Sequence, residues 1–260
     1  MAITIAVTGK GGVGKTAVTA LSVLALVEHD WRPLLVVDAD PNLNLDAALG
    51  VSADETIGAV REWTSEQVNS TQAGMSTTEL FEMRIHQSLV EGEGFDLIAM
   101  GRPEGPGCYC YANEILRNVL KRMGGNYKGI VVDCEAGLEH LSRRTAGGSL
   151  DLMLVLSDPT VRGLQTARRA LDLVEELHTS VGDAKVVLNR VRGEPAETLM
   201  AAAEELNLEI AACLPEDEQL AALDAAGRPL TELPAESPLR QAVAKLLTDW
   251  LTGNEAAGSG

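Results

Sequence analysis

The chain lacks the features that mark several large classes of protein. Only 3% of its 260 residues are aromatic, and 21 Lys and Arg stand against 38 Asp and Glu, a formal charge of −17. Phosphate backbones and anionic membrane surfaces are bound mainly through Lys and Arg, so this balance argues against nonspecific binding to either. No apolar run approaches the roughly 20 residues of a membrane-spanning helix. We therefore expect a protein or small-molecule partner, with no nucleic acid and no membrane span.

Cysteine is scarce, and the N-terminus carries no sorting signal. Four cysteines in 260 residues are too few for a disulfide scaffold. Residues 1–8 have neither a basic region nor a small-residue cleavage site, so they predict a strand and not a secretion signal. We expect a cytoplasmic protein whose thiols serve packing, metal binding or redox chemistry.

Short runs of Val, Ile and Leu alternate with longer stretches of helical period. This pattern predicts an α/β fold, a doubly wound and mostly parallel sheet flanked by helices. Strands are predicted at residues 2–8, 33–38, 95–100, 129–133, 151–157, 184–189 and 209–214. Helices are predicted at residues 15–28, 111–123, 160–178, 195–206 and 238–250. Residues 52–94 are less periodic and are predicted to pack peripherally. We expect one domain, 1–252, and a disordered tail, 253–260.

A glycine-rich motif follows the first predicted strand and opens the first predicted helix. Residues 9–16 read Gly-Lys-Gly-Gly-Val-Gly-Lys-Thr, and glycines leave the backbone amides of such a loop free to surround phosphates. Lys15 would reach the β and γ phosphates, and the Thr16 hydroxyl would bind Mg²⁺. The strand-loop-helix context disfavours a glycine-rich turn without a ligand. The predicted nucleotide contacts in this region are Gly11, Gly12, Val13, Gly14, Lys15, Thr16 and Ala17.

A second lysine in the loop, Lys10, makes the segment resemble the deviant Walker A group of dimeric ATPases, which includes MinD, ParA and the nitrogenase iron protein. In that group the extra lysine crosses the dimer interface to the partner's nucleotide, as an arginine finger does in trans. The resemblance implies ATP hydrolysis by a homodimer, with Lys10 and Lys15 both catalytic.

Three carboxylates follow predicted strands. Asp38 and Asp40 are two residues apart, so both side chains should point the same way at the carboxyl edge of the sheet. By resemblance to the ATPase group, Asp40 positions the attacking water and Asp38 lies nearer Mg²⁺. Asp133 ends the strand 129–133 and fits a Walker B position as a further magnesium ligand, although a helix-capping role would suit it too. Residues 135–137 resemble a switch loop that senses the γ phosphate.

The nucleotide base is predicted from the end of another strand. Asn189 ends the strand 184–189, and guanine-specific proteins carry an acid three residues after such an asparagine. Arg192 stands there instead, so we expect adenine, and thus ATP and ADP. In the resembled group Asn189 would contact the adenine edge, and the backbone from about Pro215 to Asp217 would line the other side.

Cys108 and Cys110 lie two residues apart after a turn-rich segment. This spacing disfavours a disulfide and suits a shared metal ion. A Zn²⁺ site usually has four ligands, as does a thiolate-rich Ni²⁺ site, so a twofold axis would supply the missing pair. The alternative is a pair of buried cysteines that pack as small apolar residues. Cys134 and Cys213 lie beside predicted strands, where a core thiol is the favoured interpretation.

Residues 101–111 and 137–145 resemble the CooC-type family of MinD-like ATPases, which mature nickel enzymes. The resemblance extends from Met1 to about Trp250. It implies a homodimeric ATPase that binds Ni²⁺ or Zn²⁺ through Cys108 and Cys110, with carbon monoxide dehydrogenase or acetyl-CoA synthase as client.

Two other functions stay open. One is a MinD- or ParA-type positioning ATPase, although the predicted terminal helix is not basic and its Leu246, Leu247, Trp250 and Leu251 stripe is more typical of a core. The other is an iron-sulfur carrier like the nitrogenase iron protein, with Cys108 and Cys134 as ligands.

Overall fold

Strands and helices alternate along the chain. The computed structural model describes residues 2–69, 77–101, 123–134, 150–176 and 180–258. The strands are β1 (Ile3–Gly9), β2 (Leu34–Asp38), β3 (Val90–Glu91), β4 (Phe95–Ala99), β5 (Gly129–Asp133), β6 (Leu150–Ser157), β7 (Val181–Val191) and β8 (Ile210–Pro215). The helices of the described ranges are α1 (Lys15–Glu28), α2 (Leu45–Leu49), α3 (Ile57–Asn69), α4 (Thr77–Gln87), α5 (Val161–Glu176), α6 (Glu197–Glu205), α7 (Glu218–Ala225) and α8 (Pro238–Gly258).

The strands form one sheet in the order β3-β4-β2-β5-β1-β6-β7-β8. Among the described strands, only the short β3 pairs antiparallel, with β4, and all other neighbours are parallel. From β1 the chain winds to β2 on one side, whereas from β6 it continues to β7 and β8 on the other. Ligands of such sheets bind beyond the carboxyl ends of the strands, where the winding direction reverses. The predicted doubly wound, mostly parallel fold is confirmed.

The central strands are buried on both faces because helices cover both sides of the sheet. Ile5 and Val7 pack into one apolar cluster together with α1 and α8, while Ala6 packs into the cluster on the opposite face. Every residue of β2 and β5 is buried. Successive strand side chains point to opposite faces, so a continuous apolar run is what a strand between two helical layers requires.

Several elements depart from the sequence-based expectation. The segment 52–94, predicted to be irregular and peripheral, contains α3 and α4, and Ile57, Val60 and Ile85 enter the core. α8 continues to Gly258, beyond the predicted end of the last helix at residue 250. The short α2 and α7 were not predicted, because five to eight residues hold too few helical turns to show a period. The predicted helix 111–123 lies outside the described residues except at its last position.

None of the helices that the structure describes combines the length and apolar character of a membrane span.

Candidate nucleotide site

The glycine-rich loop joins β1 to α1 at the carboxyl edge of the sheet. Lys10 lies exposed at its tip, whereas Val13 folds back into the core and Lys15 is only 8% exposed. α1 begins at Lys15 without a side-chain cap, so its first backbone amides remain available to an anion, which the helix dipole also favours. The loop therefore presents a phosphate-binding geometry, as predicted.

Asn189 holds this loop in place from the neighbouring part of the sheet. Its amide Nδ2 donates a 2.7 Å hydrogen bond to the Val13 carbonyl, and the residue is 5% exposed. Gly14 adopts φ +91°, and a Cβ atom there would lie 2.6 Å from the same Nδ2. Only glycine fits at this position, because a side chain would be strained and would also displace Asn189. Asn189 was predicted as a base contact, and the structure adds this loop-supporting role.

Thr16 and Asp133 meet directly beneath the loop. The Thr16 hydroxyl donates to a carboxylate oxygen of Asp133 at 2.7 Å, and the Thr19 hydroxyl approaches the other oxygen at 3.3 Å. Burial, with a smaller contribution from the nearby Asp38, raises the pKa of Asp133 to about 7, against the lowering effect of Thr16 and Lys15. The two residues predicted as magnesium ligands from distant parts of the chain are thus brought together.

Asp38 is the register partner of Asp133 across β2 and β5. One of its carboxylate oxygens accepts from the Asp40 amide at 3.0 Å. The other accepts from the amides of Asn44 and Leu45, at 3.2 and 3.1 Å. Burial raises the pKa of Asp38 to about 6, against the lowering effect of these hydrogen bonds. The geometry gives Asp38 a structural task, the attachment of α2 to the end of β2, besides its predicted place near Mg²⁺.

Asp40 lies at the cavity wall and is only partly buried. Its carboxylate accepts hydrogen bonds from both the backbone amide and the side-chain amide of Asn42, each at 2.9 Å. Asn42 thereby fixes the rotamer of the residue predicted to position the attacking water.

The predicted adenine-side residues lie where β7 and β8 end. Pro215 pairs with Val191, and the next amide, Glu216, donates to the Val191 carbonyl at 3.0 Å. Asp217 begins α7 as its N-cap and accepts from the Gln219 and Leu220 amides. Its second oxygen accepts from the Ser237 hydroxyl at 2.6 Å. The Asp217 side chain is therefore engaged by the protein, and the contact of its backbone with a nucleotide stays a prediction.

One cavity of about 650 Å³ joins these elements. Its walls include most of the predicted nucleotide contacts, together with residues that sequence reasoning missed. The predicted residues on its wall are Gly11, Gly12, Gly14, Lys15, Thr16, Ala17, Asp40, Asn189, Pro215 and Asp217. The missed ones include Asn42, Asn44, Arg190 and Arg228. No motif contains them. The N-cap pattern of Asp217 before a helix was the one signal that could have located this wall.

The donors at the loop fit Mg²⁺. A hydroxyl and a carboxylate are the hard oxygen ligands that this ion prefers, and a cation there would offset the cost of two buried carboxylates. Within the described ranges, no cluster of three or more His, Cys, Asp or Glu side chains forms a metal site of that kind. Cys108, Cys110 and the switch residues 135–137 lie outside the described residues.

The two described cysteines differ in environment. Cys134 is 2% exposed, and burial raises the pKa of its thiol well above the usual value. This confirms the prediction of a core thiol. Cys213 is exposed on β8, so the same prediction was wrong there. Successive side chains of a strand point to opposite faces, and Ala211 and Cys213 lie on the exposed face of this strand.

A family model described as the CobQ/CobB/MinD/ParA nucleotide binding domain matches residues 4–230 of the chain. The chain belongs to this family. Membership in this family confirms the predicted nucleotide-binding protein, and a MinD and a ParA-family protein share its fold over 97% and 95% of this chain.

Among curated relatives, an uncharacterised ATP-binding protein of Methanocaldococcus jannaschii is 42% identical over 93% of this chain and 96% of its own length. The carbon monoxide dehydrogenase accessory protein CooC of Rhodospirillum rubrum is 33% identical over 66% of this chain and 69% of its own length. Among solved structures, the septum site-determining protein MinD of Pyrococcus horikoshii, complexed with Mg-ADP, has a TM-score of 0.69 and 24% identity. It covers 97% of this chain and 98% of its own.

Proposed function

We propose that this chain is an ATP-hydrolysing metallochaperone that works as a homodimer and delivers nickel to a client metalloenzyme. Cys108 and Cys110 of two subunits form the metal site in this proposal. The observation that carries it is the position of the strand that leads to the cysteines: β4 lies beside β2, and the Met100 amide donates to the Asp38 carbonyl at 2.9 Å. The cysteine segment therefore starts one strand away from the nucleotide site.

The start of that segment is fixed by packing. Gly101 adopts φ +65°, and a Cβ atom there would lie 2.5 Å from the Thr56 side chain. The Gly58 amide, at the beginning of α3, donates to the Met100 carbonyl at 3.1 Å. A shift at the end of β2 would thus be passed to residue 101 through direct contacts. This supports a coupling between nucleotide state and metal site, and by linkage a nucleotide that tightens metal binding is itself bound more tightly when metal is present.

The residues of the loop supply the ATP chemistry of the proposal. Lys15 neutralises the β and γ phosphates, and Asp40, held by Asn42, orients the attacking water. Thr16 and Asp133 would hold Mg²⁺, which supplies further charge neutralisation on the phosphates. Lys10 lies exposed at the tip of the loop, where it is free to reach a second subunit. Its removal is expected to abolish dimer-dependent hydrolysis while leaving ADP binding by the single subunit.

The metal and the client are proposed from a relative. The protein of Rhodospirillum rubrum that is 33% identical is named as an accessory protein of carbon monoxide dehydrogenase, a nickel enzyme. The cysteine pair suits Ni²⁺ or Zn²⁺ because four thiolates from two chains complete a site. Carbon monoxide dehydrogenase or acetyl-CoA synthase is accordingly the proposed client.

The test is anaerobic metal analysis combined with a measurement of molecular mass, with and without ATP and Ni²⁺. We expect one Ni²⁺ per dimer and loss of this binding in the double variant Cys108→Ser, Cys110→Ser. The matched control is Cys213→Ser, which removes an exposed thiol elsewhere and should keep full binding. Equal metal binding by the double variant would overturn the proposal.

A positioning ATPase is the second candidate, favoured by relatives named MinD, such as the chloroplastic homologue of Arabidopsis thaliana at 29% identity over 88% of this chain. Membrane recruitment through α8 would need its apolar stripe to be free. Leu247, Trp250 and Leu251 are instead 1, 8 and 9% exposed and pack into the core. Strong ATP-dependent binding to anionic liposomes would nevertheless decide for this candidate.

The iron-sulfur alternative requires Cys134 as a ligand. Its thiol is buried in the core behind β5, and it lies 3.7 Å from the Val132 carbonyl as a donor. A cluster ligand must be a thiolate that reaches the dimer interface, so this environment counts against the alternative. A brown protein with stoichiometric iron and sulfide after anaerobic purification would reverse that judgement.

A further inference from the structure

Arg190 stands out at the mouth of the nucleotide cavity because the backbone of β7 is irregular there. Leu188 pairs with Cys213 and Val191 pairs with Pro215, so two residues of β7 oppose one residue of β8. This is a β-bulge, a feature that redirects side chains and is common beside functional sites. Arg190 has φ +60°, in the left-handed region that residues other than glycine rarely adopt.

The bulge directs the Arg190 side chain toward the glycine-rich loop. Arg190 lines the cavity, and its Nη2 and Nε atoms lie 3.9 and 4.0 Å from the position that a Cβ atom on Gly14 would occupy. Gly14 immediately precedes α1, whose first amides form the phosphate-binding end of the helix. The guanidinium thus lies beside the phosphate loop, close to Asn189.

Within the described residues, the Arg190 guanidinium makes no hydrogen bond or ion pair. Glu216, an acid on this wall, is engaged by Arg192, whose Nη2 donates to it at 3.0 Å, and the positive charge of Arg190 acts on Glu216 without a hydrogen bond. Arg190 is therefore an exposed cation in a left-handed backbone conformation, and among the described residues no side chain or backbone group forms a hydrogen bond or ion pair with its guanidinium. Backbone strain that brings a side chain to a ligand-binding cavity is a recurrent property of functional sites.

We propose that Arg190 is a nucleotide-binding residue whose guanidinium contacts the α and β phosphates of ATP and ADP. Lys15 lies buried under the loop and serves the β and γ phosphates, so Arg190 supplies positive charge on the opposite, base-proximal side. A local cation matters in a chain of net charge −17, because the overall field repels a polyanionic nucleotide. The proposal rests on the nucleotide-binding part of the proposed function and is independent of metal delivery.

The experiment measures the dissociation constants of Mg·ADP and Mg·ATP for the full chain by calorimetry. Arg190→Gln is expected to raise both constants about tenfold and to the same extent, as the loss of one charge-assisted phosphate contact predicts. A markedly larger effect on ATP than on ADP would place the contact on the γ phosphate and overturn the assignment. Arg169→Gln, the same charge change at an exposed position of α5, should alter neither constant by more than about twofold.

A second variant distinguishes the contribution of the Arg190 guanidinium to nucleotide affinity from that of the backbone conformation at the bulge. Arg190→Gly keeps the left-handed backbone without strain, so the nucleotide-free protein should melt about 2 °C higher than the unchanged chain. It should nevertheless lose as much affinity as Arg190→Gln. If Arg190→Gly binds ADP as tightly as the unchanged chain, the residue serves only the backbone and the proposal fails. Lys15→Ala, tested in parallel, shows whether the nucleotide site itself operates, so failure at Arg190 is distinguishable from failure of ATP binding.

Discussion

The Thr16 hydroxyl donates a 2.7 Å hydrogen bond to the Asp133 carboxylate, which joins the start of α1 to the end of β5 across 117 positions of sequence. Asp133 is 1% exposed, and its register partner Asp38 is also a buried carboxylate. The protein thus holds two acids in its interior at the point where the nucleotide and its cation are expected to bind.

The first prediction concerns the stability that the nucleotide-free protein loses because Asp133 is buried. Burial raises the pKa of Asp133 to about 7, so the folded protein holds its proton more tightly than the unfolded chain does. Stability of the nucleotide-free protein therefore falls as pH rises from about 4 to about 7 and stays lower above that. Asp133→Asn should raise the free energy of unfolding by about 1–2 kcal/mol at pH 8 and by little at pH 4. Urea denaturation at both pH values measures this.

The same variant should lose the stabilisation that Mg·ADP gives the unchanged chain, because the carboxylate predicted to hold Mg²⁺ is gone. Asp172→Asn is the control, since Asp172 pairs with Arg168 on the surface of α5. It should change stability by less than about 0.5 kcal/mol and leave the Mg·ADP effect intact. A destabilised Asp133→Asn at pH 8 would contradict the argument.

The second prediction concerns Gly14, whose φ is +91° and whose missing side chain makes room for Asn189. Gly14→Ala should destabilise the protein by about 2–3 kcal/mol and abolish ADP binding, since strain and a 2.6 Å contact act together. Gly193 has a similar φ of +68° with no atom near the position of a Cβ. Gly193→Ala should therefore cost only about 1 kcal/mol and preserve binding. Thermal melts and calorimetry compare the pair, and equal effects would show that the contact with Asn189 is unimportant.

The third prediction concerns Asp217, the N-cap of α7. Partial burial raises its pKa, but hydrogen bonds from Ser237 and from the Leu220 and Gln219 amides hold it below the usual value overall. A lowered folded-state pKa contributes stability above the unfolded pKa, and this is lost as pH falls through the folded value. Asp217→Ala should cost about 1 kcal/mol at pH 7 and less below about pH 4. Asp217→Asn, which can still cap, should retain most stability. If Asp217→Ala lost the same stability at every pH, the charge of the Asp217 carboxylate would not contribute to stability and this argument would be contradicted.

The fourth prediction concerns the cysteines. In a chain carrying Cys108→Ser and Cys110→Ser, a maleimide reagent should modify one thiol in the folded protein, the exposed Cys213. Cys134 should react only after unfolding, since burial keeps it inaccessible and its thiol pKa high. Adding Cys213→Ser should abolish the modification. Mass spectrometry measures the mass that each bound maleimide adds. Modification of Cys134 in the folded protein would show that this region opens.

The glycine-rich motif and the hydrophobic periodicity of the sequence predicted much of the sheet and the first helix correctly. The continuous apolar runs at β2 and β5 predicted buried parallel strands, and the start and end of α1 were predicted at Lys15 and Glu28, as the structure has them. The short α2 and α7 were missed because five to eight residues hold too few helical turns to show a period. The pair α3 and α4 was missed because the few side chains that bury it, such as Ile57 and Ile85, leave a weak local pattern.

The sequence by itself determined the phosphate loop, because backbone amides can surround a phosphate only where glycine and a following helix start coincide. It also identified the acids that end the strands. Only the tertiary structure decided which of these groups contact one another. Asn189 donates to the Val13 carbonyl, Asp38 accepts from the first amide of α2, and a bulge turns Arg190 toward Gly14. Those relationships depend on which strands are neighbours and on one left-handed backbone angle, and both are set by packing across the whole sheet.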